Sequence, residues 1–273
     1  MTRVVLITGS TDGIGRAAAR QLAAGGAHVI VHGRSKPKVD AALAALKDEL
    51  PGGKLDGVAF DLGTLAGVRR GAAAVQELAP ELHVVVNNAG VFATERVVTE
   101  DGLELSFAVN YVAPFVLTEL LAPTLEAGAQ SAGVPSRVID VSSVAHTRGR
   151  IHEDDLQLAS SFTGYAAYAQ SKLALVMHAL SLAERRDASA LVAYSLHPGV
   201  IATKLLRTGF GPVQGASVDH GARSIIALAG GEVAADPSGT YFSDGVATPP
   251  ASSARDAAVR ARLWDATVRL AKL

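Results

Sequence analysis

Tyr168 and Lys172 stand four residues apart in a stretch that reads as helix, so they share one face. A free phenol, with a pKa of about 10, is a poor base at neutral pH. An ammonium about 5 Å away at an effective dielectric near 20 stabilises the phenolate by roughly 3 kcal/mol. The spacing therefore predicts a Tyr168 pKa lowered by about two units, toward the range useful for proton exchange. Tyr165 makes the contrast, because Ala169 lies four residues on. Ser142 and Ser143 follow an apolar run ending at Val141, and a hydroxyl there could hold a substrate carbonyl or simply cap a loop. Asn110 lies among Phe107, Val109 and Val112. An amide in such surroundings must find partners, either as a structural bond or as a water-mediated link to Lys172.

A second group of residues suits a dinucleotide. Thr8-Gly9-Ser10-Thr11-Asp12-Gly13-Ile14-Gly15 joins a β-branched run to an alanine-rich helix. Free N–H groups and the positive helix end at such a turn favour a pyrophosphate, and glycines let the backbone approach it. A plain tight turn is the alternative. The second strand ends in His32-Gly33-Arg34 with no carboxylate to grip a ribose 2′-hydroxyl. Arg34 favours a 2′-phosphate, hence NADP, with NAD also possible. Asp61-Leu62 follows the third strand, where a carboxylate can accept from an adenine amino group or precede a helix cap. Asn87-Asn88-Ala89-Gly90 closes the fourth strand with amides and small residues that allow close backbone approach.

The elements that must position these groups alternate along the chain. Strands are predicted over Arg3–Thr8, Ala27–His32, Gly57–Phe60, Leu82–Val86, Arg137–Val141, Leu191–Leu196 and Thr240–Phe242. Helices are predicted over Ile14–Gly25, Lys38–Leu50, Leu65–Ala79, Leu103–Leu125, Tyr165–Arg186, Gly221–Leu228 and Ala254–Leu270. Pro114 should kink the fourth helix or mark an early turn in it. Thr208 to Gly215 and Val246 to Ser253 read as surface loops. Alternation with continuous apolar strands predicts an α/β fold: a doubly wound, mostly parallel, Rossmann-type sheet of about seven strands, forming one dinucleotide-binding domain over residues 1–273.

Composition narrows the partners. Net charge is -1 with no basic tract, which argues against nucleic acid and anionic membranes. Cysteine is absent, so disulfides, thiolate zinc sites and cysteine nucleophiles are excluded. No His pair has helical ligand spacing around a carboxylate, and no metal site is expected. Strand-like residues begin at Arg3, and no apolar run reaches roughly 18 residues. A cytoplasmic chain without a membrane anchor is the expectation.

Taken together, Thr8–Gly15, Asn87–Gly90, Asn110, Ser143, Tyr168-x-x-x-Lys172 and His197-Pro198-Gly199 resemble the short-chain dehydrogenase/reductase family over nearly the whole chain. Val141–His146, Tyr168–Leu173, Gly239–Asp244 and Arg262-Leu-Trp264 are similar to its retinol dehydrogenase and WW-domain oxidoreductase branch. The resemblance implies hydride transfer between a nicotinamide cofactor, NADP(H) by the reading of Arg34, and a carbonyl or alcohol carbon, while the apolar content of the pocket loops points to a lipophilic aldehyde, ketone or alcohol. It implies Tyr168 as acid/base, Lys172 as the group that lowers its pKa and holds the nicotinamide ribose, Ser143 as the carbonyl-orienting hydroxyl and Asn110 as part of a proton relay. Gly9, Ser10, Thr11, Gly13, Ile14, Gly15, Arg34, Asp61, Leu62, Asn88, Ala89 and Gly90 would bind the cofactor, and Pro198, Gly199 and Thr203 would clasp its carboxamide end. The loop holding His152 to Asp155 should pass beside the pocket, whose walls should come from Phe92 to Val97, the loop after Ser143 and Leu205 to Val218. Two departures stand out: Asp12 occupies a position where some NADP-using relatives carry a basic residue, and the anchor that often precedes the first strand in eukaryotic members of the branch is not seen. Relatives often pair through the helix bearing Tyr168, so homodimer and monomer are both open. The rival from another class is a catalytically silent NADP(H)-binding regulatory protein on the same fold.

Overall fold

A computed structural model describes residues 2–230 and 237–273. Strands β1 (Val4–Ile7), β2 (His28–Gly33), β3 (Leu55–Ala59), β4 (Val84–Asn87), β5 (Ser136–Val141), β6 (Leu191–His197), β7 (Tyr241–Ser243) and β8 (Val246–Ala247) form one sheet in the order β3-β2-β1-β4-β5-β6-β7-β8. All neighbours pair in parallel except β7 and β8. The doubly wound parallel sheet is therefore as the sequence predicts, with the two-residue antiparallel β8 as one strand more than expected. Strand order reverses between β1 and β4, and the crevice at that point is where open α/β sheets bind ligands.

Helices cover both faces. One face carries α1 (Gly13–Ala24), α2 (Lys36–Glu49) and α8 (Val218–Gly230), packed on Val5, Ile7, Val29, Val31, Ile139 and Leu196. The other carries α3 (Leu65–Leu78), α5 (Ala113–Ala132), α6 (Gly164–Arg185) and α9 (Ala257–Ala271), packed on Leu6, Val85, Val138 and Ala193. Alternate residues of each strand feed the two cores, so the strands read as unbroken apolar runs.

The predicted helix Leu103–Leu125 is divided. A single turn, α4 (Leu105–Phe107), runs into a π turn over Ala108–Val112 and then into α5. Pro114 has no N–H to give to residue 110 and its ring crowds that carbonyl. The wider turn, closed by Ala113 N–H to Ala108 O, places Pro114 in the first turn of α5, where the missing donor costs nothing. Contrary to the expectation from apolar run length, the span Leu105–Ala132 is long and apolar enough to cross a membrane, but 83% of its most apolar window is buried inside the protein. It is a core helix among the described residues. The predicted loop from Thr208 overlaps a helix, α7 (Lys204–Phe210), started by the Thr203 side chain accepting from Leu206 N–H and stopped at Gly211. The predicted loop from Val246 holds β8 and a 3-10 turn, Ser252–Arg255.

Candidate active site

At the carboxyl end of β1 the phosphate loop and β4 are locked together. Thr8 Oγ1 accepts from the N–H groups of Asn88 and Ala89, both at 3.0 Å, and Asn88 Nδ2 donates to Thr8 O at 2.8 Å and Gly9 O at 3.2 Å. Two glycines make this approach possible. A Cβ on Gly9, whose φ is +64°, would sit 2.8 Å from Ala89 Cα, and one on Gly15 would sit 2.4 Å from Asn88 Nδ2. Gly13 differs: a Cβ there would meet nothing nearer than Thr203 at 3.9 Å. The space in front of the α1 N-terminus is open, as a pyrophosphate requires.

His32 anchors the loop from the other side. Its Nδ1 accepts from Gly9 N–H at 3.0 Å, its Nε2 lies 3.0 Å from Phe60 O, and its ring packs 4.1 Å from that of Phe60. These two bonds require the neutral tautomer with the proton on Nε2. Burial pushes the imidazole down to about 4, so it stays neutral at physiological pH.

A cleft of about 810 Å3 runs along this edge. Gly9, Thr11, Gly13, Ile14, Gly15, Arg34, Asp61, Leu62, Asn88, Ala89, Gly90, Ser143, Tyr168, Lys172, Pro198, Gly199 and Thr203 all line it. Asn110 and Ser10 do not. Ser10 is fully buried, its Oγ donating to Ile7 O at 2.7 Å and accepting from His32 N–H at 3.0 Å. It props the loop from behind and has no face toward a ligand, which corrects the sequence expectation. Asp61 keeps one carboxylate oxygen on Gly63 N–H at 2.8 Å. Lys38, one turn into α2, lines the cleft beside Arg34.

At the far end of the cleft, Ser143 opens a 3-10 turn, its Oγ accepting from Ala145 N–H at 3.2 Å, and its hydroxyl lies on the same cleft wall as Tyr168. Ser142 instead donates to Lys172 O at 2.8 Å and is spent on structure. Lys172 Nζ donates to Val141 O at 2.8 Å and lies 5.8 Å from the Tyr168 ring centroid. Asn110, on the π turn, accepts from Val91 N–H at 2.8 Å and donates to Val91 O at 3.0 Å and Ser171 Oγ at 2.9 Å. Those three bonds use both amide donors and one of the two acceptor sites of Oδ1, and they tie the segment after β4 to α6. A direct bond to Lys172 is not among them. Its Oδ1 and Lys172 Nζ nevertheless flank the same spot, each 3.4 Å from where a Cβ on Gly90 would stand.

The electrostatics differ from the spacing argument. Tyr168 is pushed up to about 12, with burial as the main cause and the nearby Ser143 hydroxyl acting against it. Lys172 is itself wholly buried and is pulled down to about 8. Desolvation thus outweighs the pairwise stabilisation that the i,i+4 geometry promises. A phenol in this setting holds its proton at neutral pH.

The substrate end is apolar. Val97, Val144, Leu205, Leu206, Phe210 and Val213 face the cleft, and the rings of Phe92 and Phe210 lie 5.3 and 6.0 Å from that of Tyr168. The loop with His152 to Asp155 turns the other way: Glu153 bonds Arg262 on α9, and Asp154 and Asp155 line a separate surface groove with Arg269. It does not border the cleft, contrary to expectation, because α9 draws it outward. Two residues went unread in the sequence. His32 is the buried polar residue of β2, whose other histidine, His28, opens the strand and pairs with Asp56. His146 Nδ1 lies 2.8 Å from Ser143 O, and its Nε2 accepts from Ala251 N–H at 3.2 Å, bracing the Ser143 turn against the C-terminal segment.

Comparison with known proteins agrees with this geometry. The sequence model of the short chain dehydrogenase family matches residues 3–210. Polyprenol dehydrogenase of Mus musculus is 37% identical over 281 residues, covering 98% of this chain and 83% of the relative. Retinol dehydrogenase 13 of Homo sapiens is 36% identical over 286 residues, covering 99% and 85%. An uncharacterized protein from Mycobacterium paratuberculosis superposes with a TM-score of 0.81 at 32% identity, covering 99% of this chain and 93% of its own. More distant chains solved with NADPH or NADH share the fold. The chain therefore belongs to the short-chain dehydrogenase family, in its retinol dehydrogenase-like part, and is an NAD(P)-dependent oxidoreductase acting on alcohol and carbonyl groups.

Proposed function

We propose that this enzyme exchanges a hydride between NADP(H) and the carbonyl or alcohol carbon of a lipophilic aldehyde, ketone or alcohol. The observation that carries the reading is the meeting of Ser143, Tyr168 and Lys172 at the apolar end of a cleft whose other end is the glycine loop. The open space before Gly13 and the cations Arg34 and Lys38 beside Gly33 fit a phosphorylated dinucleotide. When bound, the nicotinamide supplies or takes the hydride. Gly9, Thr11, Gly13, Ile14 and Gly15 would hold the pyrophosphate, Arg34 with Lys38 the 2′-phosphate, Asp61 and Leu62 the adenine, and Asn88, Ala89, Gly90, Pro198, Gly199 and Thr203 the nicotinamide half.

In the reducing direction Ser143 orients the carbonyl oxygen and Tyr168, protonated at neutral pH, gives it a proton. The phenolate left behind faces the Lys172 ammonium. Asn110 acts by fixing α6 against β4, so Tyr168 and Lys172 keep their places. The apolar walls favour a substrate whose reacting carbon sits on an apolar body. The span 1–273 works as one unit, since α9 packs on α6 through Trp264 and the Arg260–Glu184 pair. With α9 in place, α6 from Ala167 to Ala179 is buried within one chain, which favours a monomer over pairing through this helix. The burial of the long apolar helix removes it as a membrane span.

The test is turnover of medium-chain aldehydes and ketones with NADPH and with NADH, in the wild type and in Arg34→Ala. NADPH should be preferred. Arg34→Ala should weaken NADPH about 10- to 100-fold, the value of one charge-assisted contact, and leave NADH unchanged. Equal use of both cofactors would overturn the NADP assignment, and no turnover with either would overturn the reaction.

A further inference from the structure

Behind Lys172, in the core between the sheet and α5 and α6, lies a polar group that the proposed reaction does not use. Asp140 on β5 is fully buried. Its Oδ1 accepts from Asn87 Nδ2 on β4 at 2.8 Å, and its Oδ2 lies 2.8 Å from His178 Nδ1 on α6. Asn87 and Asp140 are register partners, so their side chains emerge side by side. The next residue along β5, Val141, is the one whose carbonyl accepts from Lys172 Nζ.

The surroundings are otherwise apolar and aromatic: His178 packs 5.5 Å from Phe115 and stacks 6.3 Å from Trp264. A buried acid and imidazole here are costly, and an apolar pair of the same volume would serve stability as well or better. His178 Nδ1 must donate, because an ionised carboxylate only accepts. Its Nε2 is buried with no hydrogen-bond partner among the described residues. A protonated ring would bury a second, unpaired N–H, whereas a neutral ring leaves only a lone pair. The neutral tautomer therefore fits, and the pair retains the negative charge of Asp140. The titratable groups around this point are Tyr168 and His178 on α6, Asp140 on β5, Tyr111 on the π turn and, along the cleft, His197 on β6. Asp140 directly precedes Val141, whose carbonyl holds Lys172 Nζ, so its buried negative charge lies close enough to oppose the burial that pulls the ammonium down.

We propose that Asp140 is a positioning residue of this site: its carboxylate, fixed by Asn87 and His178, is the buried counter-charge of the Lys172 ammonium. The idea rests on the reading of Lys172 given above and extends it one layer into the core. Without Asp140, Lys172 would lose its proton at lower pH, and the phenolate left by Tyr168 would lose its neighbouring cation.

The experiment is NMR titration of the full-length protein labelled in lysine and aspartate side chains, with the Lys172 signal assigned by Lys172→Met. Lys172 should titrate near 8 in the wild type and lower by about one unit or more in Asp140→Asn, as expected for losing a nearby opposite charge. The double variant Asp140→Asn/His178→Phe, which removes the orphaned imidazole, should show the same displacement. The alkaline limb of the pH–rate profile should move to lower pH by the same amount. An unchanged Lys172 midpoint in either folded variant would overturn the proposal. So would a protonated Asp140 carboxyl at pH 7 in the wild type, a measurement that needs no variant. A displaced midpoint with turnover indifferent to Tyr168→Phe would sink the reaction assigned above and leave the counter-charge standing. The reverse pattern would sink only the counter-charge.

Discussion

At the glycine loop the cleft is walled by backbone, and the side chains that shape it, Thr8, Asn88 and a neutral His32, are held by hydrogen bonds without net charge. Some strands away, around Tyr168, the cleft is walled by side chains whose protonation has been displaced by burial, the phenol to about 12 and the ammonium to about 8. The first region works by shape. It needs close approach and exposed N–H groups, with the cations Arg34 and Lys38 and the Asp12–Lys204 pair at the rim. The second works by charge in a dry setting, where each titratable group is worth more than in water and each costs more to keep. Cofactor binding at one end should therefore fail sterically when altered, and proton transfer at the other should fail through its pH dependence, while the buried neutral His32 ties the stability of the loop to pH.

The largest effect on the shape-based end should come from Gly15→Ala. The added carbon would lie 2.4 Å from Asn88 Nδ2 and 2.6 Å from Gly9 O, and backbone cannot yield cheaply. We expect a loss of about 1–3 kcal/mol in stability from the overpacking, together with a fall in NADPH affinity of about 100-fold or more. Thermal unfolding and fluorescence titration read the two separately. Near-normal NADPH affinity would show that the loop does not need its present contact with Asn88.

A smaller effect should appear on acidification. The folded-state pKa of His32 is about 4 against an ordinary 6.5, so between those values the unfolded chain binds more protons. Its contribution to stability is complete above about pH 6.5 and declines as pH falls toward 4, by at most on the order of 3 kcal/mol. Denaturant unfolding at stepped pH should show this slope in the wild type and a shallower one in His32→Phe, which keeps a ring packed against Phe60. Equal slopes would mean that the imidazole does not carry the effect.

What could be read from the sequence divides along the same line. The glycine loop, Asn88 and the parallel sheet follow from spacing and apolar runs, because backbone geometry leaves a periodic trace. Ser10 was misplaced because motif position does not say which way a loop hydroxyl turns. His32, Asp140 and His178 carry no spacing signature, since their partners come from other strands and helices. The π turn before Pro114 needed the whole helix to be seen in its packing. The Tyr168 shift was misjudged in sign, since i,i+4 spacing reports the neighbour but not the depth of burial. Helix α7 was missed because Thr203 is a short-range cap signal inside a Gly-rich stretch.

The most direct test of the account is Tyr168→Phe, read for turnover and for NADPH affinity in the same preparation. The phenyl ring keeps the contacts with Phe92 and Phe210 and removes only the hydroxyl. Turnover should fall by about 100- to 10,000-fold, the range for losing a general acid, while NADPH affinity stays within a few-fold. Turnover near the wild-type rate would contradict the assignment of Tyr168 as the proton donor and, with it, the division of the cleft into a shape-based and a charge-based end.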